Sequence, residues 1–265
     1  MGYSAVTLHC LELSKYFVGP NGDRIEALRD ITVAANAGTF VAVVGASGCG
    51  KTTLLRLVAG LLAPSSGRIV VNGKLVTGPG LDRAMVFQRD SLFPWRTALD
   101  NVLYGLELQG VPRNIRRSRG LELLELVGLK GFESYYPYQL SGGMRQRVNV
   151  ARALAVEPGL LLMDEPFANL DAQTRELMQR ELERIWRATE KTTMFVTHHL
   201  EEAVFLSDEV WIMGSRPGRL IEVLTVRLPR PREPALKRSQ YFQELVDYVW
   251  ERIRPDVEQG SLQPP

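Results

Sequence analysis

Apolar positions along this chain change rhythm from one stretch to the next, and each rhythm predicts a different kind of element. Val6-Thr7-Leu8-His9-Cys10-Leu11 reads as a strand, the stretch Gly19-Pro20-Asn21-Gly22-Asp23 as a turn, and Ile31-Thr32-Val33 as a second strand. Thr39-Phe40-Val41-Ala42-Val43-Val44 is a run of strand formers, with a helical segment, Leu54-Leu55-Arg56-Leu57-Val58-Ala59, close behind. Asn72-Gly73 between Arg68-Ile69-Val70-Val71 and Lys74-Leu75-Val76 predicts a hairpin, because both residues tolerate the positive φ of a tight turn. Ala84-Met85-Val86-Phe87 is a further strand that runs straight into Gln88.

From about residue 91 to 158 the period becomes helical. Val102, Leu103 and Leu106 fall on one face, and Leu121, Leu124, Glu125 and Val127 open another run before Gly128. Strands return with Leu160-Leu161-Leu162-Met163 and Thr192-Thr193-Met194-Phe195-Val196, whose near-continuous apolar or β-rich character predicts parallel strands buried on both faces. Val210-Trp211-Ile212-Met213 and residues 220–226 close the sheet. Phe242, Leu245, Val246, Val249 and Ile253 share a stripe at helical spacing, so a last amphipathic helix is expected, with the tail fraying beyond Pro255. The pattern predicts an α/β core with a parallel sheet, an N-terminal antiparallel β subdomain and an inserted helical subdomain. The boundaries expected are an N-terminal part over residues 1–90, the helical insert over 91–158, the rest of the core over 159–228 and a helix with tail over 229–265.

Composition narrows the class without naming it. A chain of 265 residues can bury one substantial core with room for a subdomain. No apolar run approaches the roughly 18 residues of a membrane span; residues 54–63 are short and broken by Arg56. The N-terminus has no basic stretch before an apolar core, so no secretory signal is expected, and it does not complete a myristoylation pattern. A net charge of +2 is too small to argue for nucleic acid by itself. Cys10 and Cys49 suggest neither a disulfide framework nor a metal site and fit a reducing cytoplasm. Arg113, Arg116, Arg117 and Arg119 cluster within the helical stretch, as a solvated face or as a contact for phospholipid head groups.

Chemistry concentrates in Gly45-Ala46-Ser47-Gly48-Cys49-Gly50-Lys51-Thr52-Thr53, between a predicted strand and a predicted helix. That context matches the phosphate-binding loop G-x-x-x-x-G-K-[ST], in which glycines let backbone N–H groups converge on a polyphosphate and the helix dipole faces the anion. Lys51 should reach the β- and γ-phosphates and Thr52 should ligate Mg²⁺. A second constellation, Leu160-Leu161-Leu162-Met163-Asp164-Glu165-Pro166, delivers two carboxylates to a strand end. Asp164 would hold the Mg²⁺ through water, and Glu165 would orient or deprotonate the attacking water. The third, Leu140-Ser141-Gly142-Gly143-Met144-Arg145-Gln146-Arg147, places Ser141 as an N-cap before two bare glycines, a further anion-binding geometry.

Together these motifs resemble the ATP-binding-cassette ATPases over nearly the whole chain. LSGGMRQR resembles the family signature, Phe87-Gln88 the glutamine loop, Asn169-Leu170-Asp171 the loop that crosses the dimer interface and Thr197-His198 the histidine switch, all in family order. The resemblance implies ATP held between the phosphate loop of one cassette and the signature of another, so Ser141, Gly142 and Gly143 would complete the partner's site. It implies that Gln88 touches Mg²⁺ or water, that His198 contacts the γ-phosphate and holds Glu165 in line, and that Asp171, in the loop that crosses the dimer interface, is among the nucleotide-binding residues. Leu13-Ser14-Lys15-Tyr16-Phe17 resembles the aromatic loop that stacks on adenine, with alignment favouring Phe17 over Tyr16 and a core aromatic as the alternative. His199, where many members carry Asp, and Asn169, where a small residue is common, depart from the pattern and imply altered rate or coupling. Cys49 inside the loop suggests that a thiol reagent should block activity with ATP protecting.

Ser91-Leu92-Phe93-Pro94-Trp95-Arg96-Thr97, residues 161–171, Arg216-Pro217-Gly218-Arg219-Leu220 and Leu228-Pro229-Arg230-Pro231-Arg232 look like the nitrate/sulfonate/taurine importer ATPases. That implies a second ATPase subunit, identical or paralogous, two membrane permease subunits and a periplasmic or lipoprotein solute-binding protein, at the cytoplasmic face of the inner membrane. Phe93, Pro94 and Trp95 would line the groove for the permease's coupling helix or serve as core residues. The rival readings are a soluble cassette acting on nucleic acid or ribosomes, which usually pairs two cassettes or carries a long coiled coil, and a phosphate-loop GTPase or kinase, for which no Asn-Lys-x-Asp motif is present.

Overall fold

The computed structural model describes residues 6–20, 22–89, 91–215 and 217–261. Two sheets organise it. The first is antiparallel, in the order β2-β1-β4-β5, built from β1 (Val6–Val18), β2 (Arg24–Asn36), β4 (Ser66–Val71) and β5 (Lys74–Leu75). The β4–β5 connection is the anticipated turn, with Asn72 at φ 49° and Gly73 at φ 75°. The second has six strands in the order β10-β9-β3-β8-β7-β6: β10 (Arg219–Thr225), β9 (Glu209–Gly214), β3 (Phe40–Gly45), β8 (Thr192–Val196), β7 (Leu160–Asp164) and β6 (Arg83–Val86). All of its neighbours pair in parallel except β10, which runs antiparallel to β9 at the edge.

Strand side chains alternate between faces, so the second sheet feeds two cores. Val41, Val43, Leu162, Met194, Val196 and Trp211 pack with α1 (Lys51–Val58) and the inner face of the first sheet. Phe40, Ala42, Val44, Leu161, Met163, Phe195 and Ile212 face the other helices. These are α2 (Ala98–Leu108), α3 (Arg113–Leu126), α4 (Gly142–Ala155), α5 (Ala172–Thr189), α6 (Leu200–Leu206) and α7 (Gln240–Ser261). Thr97 caps α2 by accepting the Asp100 N–H at 3.1 Å, so residues 91–97 form a loop before the helical layer begins.

Three local expectations change. Glu125 does not join its apolar neighbours but stands exposed and pairs with Lys130 at 2.7 Å. Lys15, Tyr16 and Phe17 lie on the long strand β1 instead of in a loop, because cross-strand pairing with Leu28, Glu26 and Ile25 extends the hairpin to its turn. The tail does not fray at Pro255; α7 continues through it to Ser261. Pro255 is on the exposed side, where the carbonyl it leaves unbonded can meet water, and Asp256 accepts the Ser215 N–H at 2.8 Å, fastening the helix beyond the proline. In the arginine cluster, Arg116 pairs with Glu107 at 3.6 Å and Arg119 with Glu157 at 2.6 Å, whereas Arg113 and Arg117 are exposed. Among the described residues no helix is long and apolar enough to cross a membrane.

Candidate active site

Every chemically distinctive group of the second sheet leaves it at the carboxyl ends of the parallel strands, the edge where open α/β sheets place their ligands. β3 ends at Gly45 and opens the glycine loop; β7 ends at Asp164 before Glu165; β8 leads to Thr197 and His198; β6 leads to Gln88. A cavity of about 570 Å³ lies there, lined by Ser47, Gly48, Gly50, Lys51, Thr52, Thr53, Glu165 and His198, with Ala27 of β2 on its rim. Gly48 at φ 77° and Gly50 at φ 95° hold the left-handed backbone that the loop needs.

The groups at this edge are already connected. Lys51 is buried and donates to the carbonyls of Gly45 at 2.8 Å and Ala46 at 3.0 Å, closing the loop around its own ammonium. The Thr52 hydroxyl donates to Asp164 Oδ1 at 3.0 Å. Burial raises the Asp164 carboxyl above its ordinary range and the charge of Glu165 adds to this, against the Thr52 hydrogen bond. Gln88 Nε2 donates to Glu165 Oε2 at 3.3 Å, and His198 Nδ1 stands 3.1 Å from the same oxygen. Asn169 donates to the Gln88 carbonyl at 3.3 Å, a bond for which Gly or Ala has no side-chain donor. The His199 ring lies against that of His198, tilted by 40° with centroids 4.1 Å apart; burial and the neighbouring His198 lower its pKa.

Mg²⁺ fits this donor set. A hydroxyl and a carboxylate from Thr52 and Asp164, with the Gln88 amide nearby, supply few protein ligands, as suits an ion that draws its other oxygens from phosphates and water. Among the described residues no group of three or more His, Cys, Asp and Glu could hold a metal ion. An isolated metal cage is therefore not what this edge offers.

Other residues singled out in the sequence stand apart from the cavity. Ser141 caps α4, accepting the Met144 N–H at 3.3 Å; Ser141 and Gly142 are exposed and Gly143 is buried. Asp171 caps α5 through the Thr174 N–H at 2.9 Å, and its bonds to the Thr174 side chain and backbone lower its pKa. Phe17 is 40% exposed, with the Lys15 ammonium 5.2 Å from its ring, so it is not the core aromatic that was the alternative. Tyr16 is covered by the guanidinium of Arg24. The Cys49 side chain turns inward, fully buried with its pKa raised by burial, so its thiol is poorly placed for a reagent. Phe93 packs against Tyr104 at 4.7 Å, while Trp95 is 71% exposed beside a groove of about 350 Å³ lined by Leu92, Pro94, Pro137, Tyr138 and Arg145. Arg216 lies outside the described residues.

Sequence reasoning passed over Ala27, which lines the cavity, and Asn101, which is fully buried and bonds the backbone of Phe93, Arg96 and Thr97. Neither carries a local motif; an Asn among the apolar positions of a predicted helix was the available signal for the second.

A strand, a glycine loop, a helix and two carboxylates at the end of β7, one strand removed from β3, define a protein of the phosphate-loop class. A family model described as "ABC transporter" matches residues 28–168. An uncharacterized ABC transporter ATP-binding protein of Methanocaldococcus jannaschii is 54% identical over 234 residues, covering 88% of each chain. The nitrate import ATP-binding protein of Synechocystis sp. is 49% identical over 88% of this chain and 87% of its own. The taurine import ATP-binding protein of Rhizobium johnstonii is 51% identical over 78% of this chain and 79% of its own. A solved dimeric ATP-binding cassette in a post-hydrolysis state bound to ADP and Pi superposes with a TM-score of 0.70 at 30% identity, covering 84% of this chain and all of that one. The chain belongs to the ABC transporter family.

Proposed function

We propose that this protein is the ATP-hydrolysing subunit of an importer for a small anionic or polar solute, of the nitrate, sulfonate or taurine kind. The observation that carries the reading is the division of the motif residues. Lys51, Thr52, Glu165 and His198 surround one cavity, whereas Ser141, Gly142, Gly143 and Asp171 stand outside it on helix N-termini. The loop half of a site is present on each chain and a capping half waits for another cassette, identical or paralogous.

In this reading the amides of Ser47–Thr53 and Lys51 hold the phosphates of ATP, and Phe17 offers an exposed ring for the base. Thr52, Asp164 and Gln88 would hold Mg²⁺, which supplies charge neutralisation at the phosphates when bound. Glu165 polarises the attacking water, and its Oε2, held between Gln88 and His198, keeps a fixed aim. Catalysis is then positioning and charge stabilisation. Two permease subunits would engage the groove beside Trp95, with the chain at the cytoplasmic membrane face and a solute-binding protein outside. The taurine and nitrate import relatives support this branch, and nothing in the site favours the nucleic-acid or ribosome alternative.

Mixing two inactive variants tests the composite site. Ser141→Arg disables only the capping half and Lys51→Ala only the loop half, so in an equimolar mixture about half the dimers carry one intact pocket of two and about a quarter of wild-type ATPase activity should return under conditions that favour dimers. Full turnover by a strictly monomeric preparation refutes it.

A further inference from the structure

The segment that begins β10 does more than close the sheet. Gly218 lies between β2 and the phosphate loop: its N–H donates to the Ala27 carbonyl at 3.1 Å, and its own carbonyl accepts the Arg29 N–H at 2.8 Å. A Cβ at this position would stand 2.2 Å from the carbonyl oxygen of Cys49, 2.7 Å from that of Ala27 and 2.9 Å from Leu28 Cδ2. On the other side, a Cβ at Gly50 would stand 2.5 Å from Leu28 Cδ2 and 3.0 Å from the Ala27 carbonyl. Three backbone segments therefore meet at distances only glycine allows.

We infer that Gly218 is a positioning residue for the phosphate loop, a backbone strut that fixes the Cys49–Gly50 peptide and through it the amides that face the phosphates. The peptide group is planar, so displacing the Cys49 carbonyl turns the Gly50 N–H on its opposite edge. Gly50 lines the cavity, as does Ala27, whose carbonyl receives the Gly218 N–H. Gly218 is not held to glycine by a positive φ, so the constraint is the space beside the loop. The inference rests on the nucleotide-site reading, and it gives Gly218 a purpose that the resemblance of residues 216–220 to importer ATPases left unexplained.

The test compares Gly218→Ala with Gly67→Ala. At Gly67 a Cβ would meet the Glu12 carbonyl, also at 2.2 Å, but in the antiparallel sheet away from the cavity. To regain ordinary contact the Cys49 carbonyl must retreat by about 1 Å, and misplacements of about that size among positioned groups cost a catalysed rate on the order of 100-fold. Binding of trinitrophenyl-ATP with Mg²⁺, followed by fluorescence well below either melting temperature, should weaken at least about tenfold in Gly218→Ala and stay within about twofold in Gly67→Ala. Pro217→Gly frees the backbone ahead of the same approach without adding an atom; binding weakened beyond the Gly67→Ala control decides the matter if Gly218→Ala does not fold. A folded Gly218→Ala protein, or failing that Pro217→Gly, with wild-type affinity overturns the inference. Failure of the wild-type protein to bind the nucleotide would instead sink the site reading beneath it.

Discussion

Replacing Asn101 with Ala offers a direct measure of how residues 91–97 are held. The side chain is fully buried and makes four hydrogen bonds: it accepts the Phe93 N–H at 2.8 Å and donates to the carbonyls of Phe93, Arg96 and Thr97 at 3.2, 3.1 and 2.9 Å. One amide nitrogen thus serves three carbonyls with two hydrogens, so the donations are shared and count for less than three full bonds. At about 1 kcal/mol for a net hydrogen bond, and more where a backbone group is left buried without a partner, the loss comes to roughly 3 kcal/mol. For a protein of this size that lowers Tm by about 6–12 °C. Asn101→Asp should cost at least as much, because a carboxylate keeps the acceptor for Phe93 but faces three carbonyl oxygens. Calorimetry gives the stability, and limited proteolysis with Trp fluorescence shows whether the Trp95 loop is the part released. A change below about 1 kcal/mol in both variants would show that water replaces these bonds freely and that the loop is held some other way.

Further outcomes follow from the same geometry. Glu165→Gln should lower ATP hydrolysis by at least about 100-fold while nucleotide binding, read by equilibrium fluorescence, persists; parallel loss of both refutes its assignment. Trp95→Ala should uncouple transport from basal ATPase at unchanged Tm, since the ring is largely exposed; a fall in Tm with both activities would make it a packing residue. The folded-state pKa of His199 lies below its ordinary 6.5, so its contribution to stability is present above pH 6.5 and is lost as the pH falls through the folded value. Chemical denaturation of wild type and His199→Asn across pH 5–8 should show the wild type losing more on the acid side; identical slopes would refute this. Both cysteines are buried, so an aromatic disulfide reagent should react with the native protein only as fast as it opens, and prompt labelling of Cys49 with loss of activity would restore the reagent-sensitive picture.

What was legible in the sequence is what local chemistry writes locally. The strand, glycines, lysine and threonine of residues 39–59 stand in sequence as they stand in space, so both the loop and its helix could be read. Asp164 and Glu165 were readable because an uninterrupted apolar strand delivers them to a predictable edge. The contact of Asn169 with the Gln88 carbonyl joins residues 81 positions apart and leaves no periodic trace. Gly218 meets Cys49 and Ala27 across three separate elements, and a glycine after proline in a loop looks the same whether or not a neighbour needs the space. Pro255 misled for a different reason: a rule about helix interiors assumes that nothing downstream holds the helix, and Asp256 does.

That carboxylate has a reach longer than one amide. Ser215 follows directly on β9, whose Met213 pairs with Gly45 where the glycine loop begins, so the anchor of the final helix sits two residues from the strand partner of that glycine. Shortening the chain before Asp256 would leave the Ser215 N–H without its acceptor, and the disturbance would enter the protein next to its most demanding turn. The carboxyl-terminal helix thus serves as a guy-rope for the strand beside the loop.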